Sequence, residues 1–330
     1  MLILTKSVFA MMIGFILSSV LGLILIPFIR NLRASQRISI YVGESHHKKE
    51  GTPTMGGFIF VLATLITIIF LLITNKIVMT GNLLIVLVVF VGYSLLGFLD
   101  DYLSIKRKDN EGLTTMQKLF GQFIIALLFF FIYMKSGAEP LLWVHTLGLK
   151  VNLGWLYGVF ILLLLVGMSN AVNITDGLDG LAGGLTAISF LAFGLIAWGA
   201  GWVSGHDSIA IFCFVLVGAL LGFLVYNTYP AKIFMGDTGS LTLGGTLAAI
   251  AILAHYEVTL FVVGGVFIIE TLSVIIQYAS VKLTGKKVFL MSPLHHHFEK
   301  LGWEERDIVK LFWIMGLLFA MASLTFGVWI

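Results

Sequence analysis

The chain has 330 residues, of which 59% are hydrophobic and only 11% are charged, and its net charge is +3 at pH 7. Soluble domains carry about 25% charged residues, so this composition excludes a large soluble globular protein and indicates a polytopic membrane protein. The single cysteine, Cys213, excludes a disulfide framework and a cysteine-rich metal site.

Ten apolar runs are long enough to cross a bilayer as helices, which takes about 20 residues each. They are predicted at 7–29, 57–74, 82–100, 119–134, 155–172, 184–202, 209–229, 239–255, 259–282 and 310–330. The first run is expected to be a retained span, because it is too long for the core of a signal peptide. Backbone inside hydrocarbon must satisfy its own hydrogen bonds, so the predicted fold class is an all-α polytopic membrane protein, with residues 1–330 as one integral membrane domain.

The cations lie mostly on one side of these spans. Sixteen of the 20 Lys and Arg residues follow odd-numbered spans, and the other four are Lys6, Lys76, Lys135 and Lys150. Short loops rich in Lys and Arg stay in the cytoplasm, so both termini are expected outside. Most carboxylates gather on the cytoplasmic side too, although carboxylates contribute little to orientation. This gathering predicts a polar, cytoplasmic-facing active-site cleft.

The first predicted cytoplasmic segment contains "HHKKEGTPTMGGFIF", residues 46–60. Lys48 and Lys49 precede a Gly-Thr-Pro-Thr turn that leads into a span. Backbone N–H groups and hydroxyls at a helix N-terminus favour anions, so this turn is a predicted phosphate contact. It lacks the P-loop pattern, and no strand precedes it.

The second segment, "LLGFLDDYLSIKRK" at 95–108, places Asp100 and Asp101 where the third span is predicted to end. Such charges are often only a helix end that reaches water. Two adjacent carboxylates repel each other, however, and a helix C-terminus is the unfavourable end of the dipole for them. A divalent cation or a magnesium-bound phosphate would relieve that repulsion.

The third and fourth segments carry further polar side chains. In "SNAVNITDGLDGLAGG", 169–184, amides and carboxylates recur every three residues, which suits either a polar ligand or a capped turn. In "YNTYPAKIFMGDTGS", 226–240, Asp237 precedes the eighth span. That residue is either the N-cap of the span or a metal ligand, two roles that require different directions of one side chain.

The last segment contains three successive histidines, His295 to His297. Adjacent side chains on a helix diverge by about 100°, so a closed zinc site is excluded, and contact with a phosphate or hydroxyl, or stacking, is predicted instead. Outside the membrane, residues 144–155 alternate enough to predict a short hairpin.

Five motifs in this order across ten spans resemble the phospho-N-acetylmuramoyl-pentapeptide transferase family: "GTPTMGG", "LLGFLDDY", "NAVNITDGLDGLAGG", "FMGDTGS" and "SPLHHHFE". The resemblance covers essentially the whole chain. It implies transfer of phospho-N-acetylmuramoyl-pentapeptide from its UDP-linked precursor to undecaprenyl phosphate, which gives lipid I and UMP and requires Mg²⁺. It also implies a multi-pass protein of the bacterial cytoplasmic membrane, surrounded by lipid, with a homodimer as the expected assembly and no nucleic-acid partner.

Matched residue by residue, the resemblance implies catalytic roles for Asp100, Asp101, Asp237 and His295, with Asp237 as the magnesium ligand. It implies substrate binding by Lys49, Thr54, Lys118, Asn173, Asp176, Gly177, Leu178, Asp179, Asn227, Phe234 and His296. Phe234 is expected to stack on uracil. Ser104 stands where the family pattern has a lysine, and Lys106 or Arg107 is expected to supply that charge.

Three alternatives stay open from the sequence. A related transferase would use UDP-N-acetylglucosamine, and a transporter would use carboxylates inside the membrane as a relay. Only Glu270 is predicted within a span, which disfavours the transporter. In the transferase, Asp100 or Asp101 is either the base that deprotonates the lipid phosphate or a covalent nucleophile.

Overall fold

A computed structural model describes residues 3–31, 51–107, 112–199 and 206–325. The helices in these ranges are α1 Ile3–Asn31, α2 Gly57–Ile73, α3 Gly81–Arg107, α4 Thr115–Lys135, α5 Leu156–Thr175, α6 Leu181–Gly199, α7 His206–Asn227, α8 Asp237–Leu253, α9 Glu257–Val263, α10 Gly265–Thr284, α11 Leu294–Lys300 and α12 Glu305–Leu324. The predicted all-α membrane architecture is confirmed. Each of the ten predicted spans coincides with a helix, and the ninth is divided at Gly264 into α9 and α10.

Eight of the described helices are long and apolar enough to cross a membrane. The two shorter ones, α2 and α8, have 17 residues each, which is near the lower limit for a span. The chain is therefore a multi-pass membrane protein. The outward position of both termini stays a prediction.

The predicted end of the third span was wrong. Helix α3 continues past the twin aspartates to Arg107, so both carboxylates lie within the helix. The helix continues because the two side chains find partners in neighbouring elements, which are described below. Arg107, the last residue of α3, donates to the Gly112 carbonyl at 2.8 Å.

The predicted hairpin is present, but it begins and ends three residues earlier than the predicted 144–155. Strand β1, Leu141–Val144, pairs antiparallel with β2, Leu149–Asn152, with Leu141 opposite Asn152. Lys150 Nζ lies 3.9 Å from the ring centre of Trp143. The hairpin packs on α9, and the His145 ring stacks on Tyr256, the residue before that helix, with ring centres 3.9 Å apart.

Helix α8 forms the centre of the bundle, and every residue from Thr238 to Leu253 is buried. A helix without a polar face is expected to be surrounded by others, and α3 and α5 enclose this one together with α2. The packing is close because glycines face the N-terminus of α8. A Cβ at Gly97 would lie 2.2 Å from the Asp237 carbonyl oxygen, and one at Gly57 would lie 2.4 Å from the Gly239 nitrogen.

Replacing Gly97 with Ala should therefore displace α3 from the start of α8. We expect a loss of about 2–3 kcal/mol of stability, since the added methyl meets rigid backbone. The lowered midpoint of thermal unfolding in detergent checks this. Gly167→Ala is the matched control, because a Cβ there meets nothing within 4 Å. An equal midpoint shift in both variants would contradict the close approach.

Candidate active site

Three carboxylates from two distant motifs meet at the N-terminus of α8. One oxygen each from Asp100, Asp101 and Asp237 lies within 4.8 Å of the others. Asp100 and Asp101 are buried, and Asp237 is partly exposed. The first turn of α8 and the last turns of α3 thus form one acidic cluster, which is able to hold a metal ion.

Both carboxylate oxygens of Asp101 accept hydrogen bonds from the first two residues of α8. Its Oδ1 accepts from the Asp237 N–H at 3.1 Å. Its Oδ2 accepts from the Thr238 N–H at 2.9 Å and from the Thr238 hydroxyl at 2.5 Å. The carboxylate therefore caps another helix, at the end where the dipole favours a negative charge. This contact explains why α3 accommodates the adjacent acidic pair.

Asp237 is the first residue of α8, and Gly236 is the N-cap, with no side-chain cap bond. The interpretation of Asp237 as the helix cap was therefore wrong. Its side chain points to other partners: Oδ1 accepts from Asn173 Nδ2 at 2.8 Å, and Oδ2 accepts from Lys118 Nζ. Asn173 also donates to Ser240 at 2.8 Å. A side chain free of capping is available as a ligand.

Lys118, on α4, is the cation that faces the cluster. Its Nζ contacts Asp237 and lies 3.3 Å from Asp100 Oδ1. Asp100 Oδ1 also accepts from the Leu113 N–H at 2.9 Å. The ammonium group of Lys118 thus bridges Asp100 and Asp237, the two carboxylates of the cluster that do not cap α8.

Asp176, in the turn after α5, adds a further carboxyl group near the cluster. Burial, together with the charges of Asp237, Asp101 and Asp179, raises the pKa of Asp176 to about 8. Together with the three carboxyl groups of the cluster, Asp176 makes four such groups near one lysine, Lys118, among the described residues of the site. An added cation would lower this pKa again.

The Gly-Thr-Pro-Thr and Phe-Met-Gly-Asp motifs are joined through backbone hydrogen bonds. The Phe234 N–H donates to the Pro53 carbonyl at 2.8 Å, and the Gly56 N–H donates to the Phe234 carbonyl at 2.8 Å. Gly236 has φ +73°, and a Cβ on it would lie 2.8 Å from Thr54 Oγ1 and 2.6 Å from Asp101 Oδ2. Thr54 is thus placed beside the acidic cluster.

Several predicted substrate-binding residues hold the surrounding turns. Asp179 Oδ2 accepts from the Ala231 N–H at 2.9 Å, and Asn227 Nδ2 donates to the Ile233 carbonyl at 3.0 Å. Leu178 is buried in the apolar core, and Phe234 is half-buried. Helix α5 ends at Thr175, so Asn173 lies in its last turn, and Asp176 and Asp179 lie in the turn that follows.

The three histidines have different partners, as the divergence of adjacent side chains predicted. His295 contacts Glu270 through Nδ1 at 3.1 Å, and His296 contacts Glu299 at 2.6 Å. His297 accepts from the Leu290 N–H at 3.1 Å. A Cβ on Gly177 would lie 2.3 Å from His295 Nε2, so this ring lies against the turn after α5. Lys49 lies outside the described residues.

Two residues near the site were missed from the sequence. Thr238 adds a hydroxyl to the cap of α8, and no pattern distinguishes it from other helix threonines. Glu270 is fully buried and supports His295. Its position inside a predicted span could have indicated a functional role, because burying a carboxylate in the membrane costs free energy.

Comparison with known proteins gives the family. The family described as Glycosyl transferase family 4 matches residues 83–255. The phospho-N-acetylmuramoyl-pentapeptide-transferase of Geobacillus kaustophilus (strain HTA426) is 51% identical over 323 residues, which is 98% of each chain. The proteins of the same name from Geobacillus thermodenitrificans (strain NG80-2) and Bacillus subtilis (strain 168) are 50% and 49% identical, again over 98% of each chain. The chain belongs to the phospho-N-acetylmuramoyl-pentapeptide-transferase family.

Membership in the phospho-N-acetylmuramoyl-pentapeptide-transferase family makes the chain a membrane-bound transferase. The shorter family match, 83–255, contains the whole acidic cluster but ends before His295. The full-length relatives also cover the histidine segment and Glu270.

Proposed function

We propose that this protein transfers phospho-N-acetylmuramoyl-pentapeptide from its UDP-linked precursor to undecaprenyl phosphate, with lipid I and UMP as products. The observation that carries the proposal is the meeting of Asp100, Asp101 and Asp237 at one helix N-terminus. The chain is 50% identical, over 98% of each chain, to a relative named for the transfer of phospho-N-acetylmuramoyl-pentapeptide, and this identity supports the choice of sugar. The site lies at helix ends, where a soluble nucleotide-sugar and a bilayer-anchored acceptor are both able to reach it.

The acidic cluster fits Mg²⁺, which prefers oxygen ligands and usually combines one or two carboxylates with substrate phosphates. The donors present are oxygens of three carboxyl groups, and among the described residues one lysine, Lys118, pairs with two of them. Asp237 would be the principal ligand, because its side chain is partly exposed and makes no capping bond. Bound there, Mg²⁺ would neutralise charge on the diphosphate and on the leaving UMP.

We assign the remaining roles in the reaction to side chains of this protein. We assign the deprotonation of the lipid phosphate to Asp100, since both oxygens of Asp101 are held by α8. The freed phosphate oxygen then attacks the sugar-linked phosphorus, the bond from that phosphorus to the bridging oxygen breaks, and UMP leaves. Lys118 balances charge between Asp100 and Asp237, and Asn173 orients the Asp237 carboxylate.

The same proposal places Thr54, Asp176, Gly177, Phe234 and His296 around the nucleotide-sugar, with Lys49 as an anion contact. Asp179, Asn227 and Leu178 support the turns that present them. Sixteen of the 20 Lys and Arg residues fall on one predicted side of the spans, which supports a site on the cytoplasmic side of the bacterial plasma membrane. A homodimer is proposed on the resemblance alone.

The proposed function predicts release of UMP only when three components are present together. Purified protein in detergent should release UMP from UDP-N-acetylmuramoyl-pentapeptide when undecaprenyl phosphate and Mg²⁺ are both added. Chelation with EDTA should stop the release, and fresh Mg²⁺ should restore it. The assay follows UMP and the lipid product by chromatography. Faster turnover of UDP-N-acetylglucosamine would contradict the assignment of the sugar.

A further inference from the structure

Glu270 is a buried carboxylate that the reaction scheme above leaves unused. It lies in α10, a helix long and apolar enough to cross the membrane, and its side chain has 0% relative exposure. An ionisable group at such a position costs free energy, so its neighbours indicate what it does. In the described part of the chain, those neighbours belong to His295.

Both oxygens of Glu270 face the same residue. Oε1 accepts from the His295 backbone N–H at 3.1 Å, and Oε2 lies 3.1 Å from His295 Nδ1. An ionised carboxylate only accepts hydrogen bonds, so the Nδ1 that faces it carries a proton. The hydrogen bond made by one ring nitrogen determines what the other one offers.

The other ring nitrogen, Nε2, is the atom left for a ligand. It is buried and has no hydrogen-bond partner among the described residues. It lies against Gly177, where an added Cβ would be only 2.3 Å away. Buried polar atoms are nearly always satisfied, so a ligand group is expected to reach Nε2 at this turn.

Helix α10 supports the segment that leads to His295 at a second point. Gln277 lies two turns after Glu270 on the same face, and its Oε1 accepts from the Val288 and Phe289 N–H groups at 3.0 and 2.9 Å. The segment is therefore held by α10 at both of its ends. Of these two α10 side chains, Glu270 is the one that bonds to the imidazole of His295.

We propose that Glu270 is a positioning residue for the transfer: it holds the Nδ1 proton of His295 and turns Nε2 toward the Gly177 turn, where Nε2 contacts the nucleotide-sugar. This inference rests on the proposed function, which supplies that ligand. Glu270 acts through His295 and touches no substrate itself. The carboxylate is the essential feature, because it accepts from the backbone and from the ring at the same time.

The test replaces Glu270 with Gln, which keeps the shape but turns one acceptor into an N–H donor. The proton of His295 should move from Nδ1 to Nε2, and kcat should fall at least about tenfold, as when residues that orient a histidine are changed. The proton position is read by ¹⁵N NMR of histidine-labelled protein, in which the His295 signals are those lost in His295→Gln. The Glu270→Gln/His295→Gln double variant should be no slower than His295→Gln alone.

Ser273→Ala is the matched control on the same helix. Ser273 is buried, and its hydroxyl bonds only to the Glu270 carbonyl among the contacts described, so kcat and the His295 signals should stay unchanged. An unprotonated Nδ1 in the wild type, an unchanged kcat in Glu270→Gln, or additive losses in the double variant would each overturn the proposal. Wild-type protein that transfers no sugar phosphate would instead overturn the proposed function, while the NMR signals still decide the Glu270–His295 pairing.

Discussion

Replacing Asp237 with Asn should reduce turnover by at least about 100-fold and leave the protein folded. The loss of a preorganised charged group at the reacting phosphates has an effect of this size. Asparagine keeps the shape, and its amide oxygen still accepts from Asn173. It removes the negative charge that faces Lys118 and, in the proposed scheme, the metal ion. Turnover is measured as UMP release at saturating concentrations of both substrates.

The matched control for this substitution is Asp307→Asn. Asp307 is exposed on α12 and pairs with Lys310 at 3.1 Å, so the same loss of charge occurs away from the cluster. Its turnover should equal that of the wild type. Near-normal turnover in Asp237→Asn would remove Asp237 from the reaction.

Substitutions of the two adjacent aspartates should have different effects: one should lower stability, and the other should lower turnover. Asp101→Asn should lower the stability by about 2–3 kcal/mol, because the carboxamide presents an N–H₂ group to one of the buried donors at the start of α8. Asp100→Asn should unfold at the wild-type temperature, because its amide oxygen still accepts from the Leu113 N–H. Its turnover should nevertheless fall by about 100-fold, the effect of losing a general base.

Thermal unfolding in detergent and UMP release, measured on the same preparations, check this separation. Each substitution serves as the control for the other, since both remove one carboxylate from adjacent positions of α3. A stable Asp101→Asn variant together with an unstable Asp100→Asn variant would show that the two roles are exchanged.

The positions of the ten spans were predictable from the sequence, because hydrocarbon imposes one simple requirement on the backbone. The end of α3 was not, because it depends on partners far away in the chain. Asp100 and Asp101 are stable inside a helix only because Leu113, Lys118 and the N-terminus of α8 face them. Hydropathy along the chain carries no information on those contacts.

The site was predictable from the sequence only in part. The motifs indicated which segments carry polar groups, and the structure brings Asp100, Asp101 and Asp237 together. The division of roles between the twin aspartates depends on which one faces α8. The support of His295 by Glu270 joins residues on separate helices. Both features follow from packing, and spacing along the sequence does not encode them.

The most direct test of the account is the binding of Mn²⁺, in place of Mg²⁺, followed by electron paramagnetic resonance in the presence of UMP. The wild type should bind about one ion per chain, as expected for a single cluster of hard oxygen ligands. Asp237→Asn should lose that ion, and Asp307→Asn should keep it. Equal Mn²⁺ binding by the wild type and by Asp237→Asn would contradict the claim that the acidic cluster at the start of α8 is the metal site.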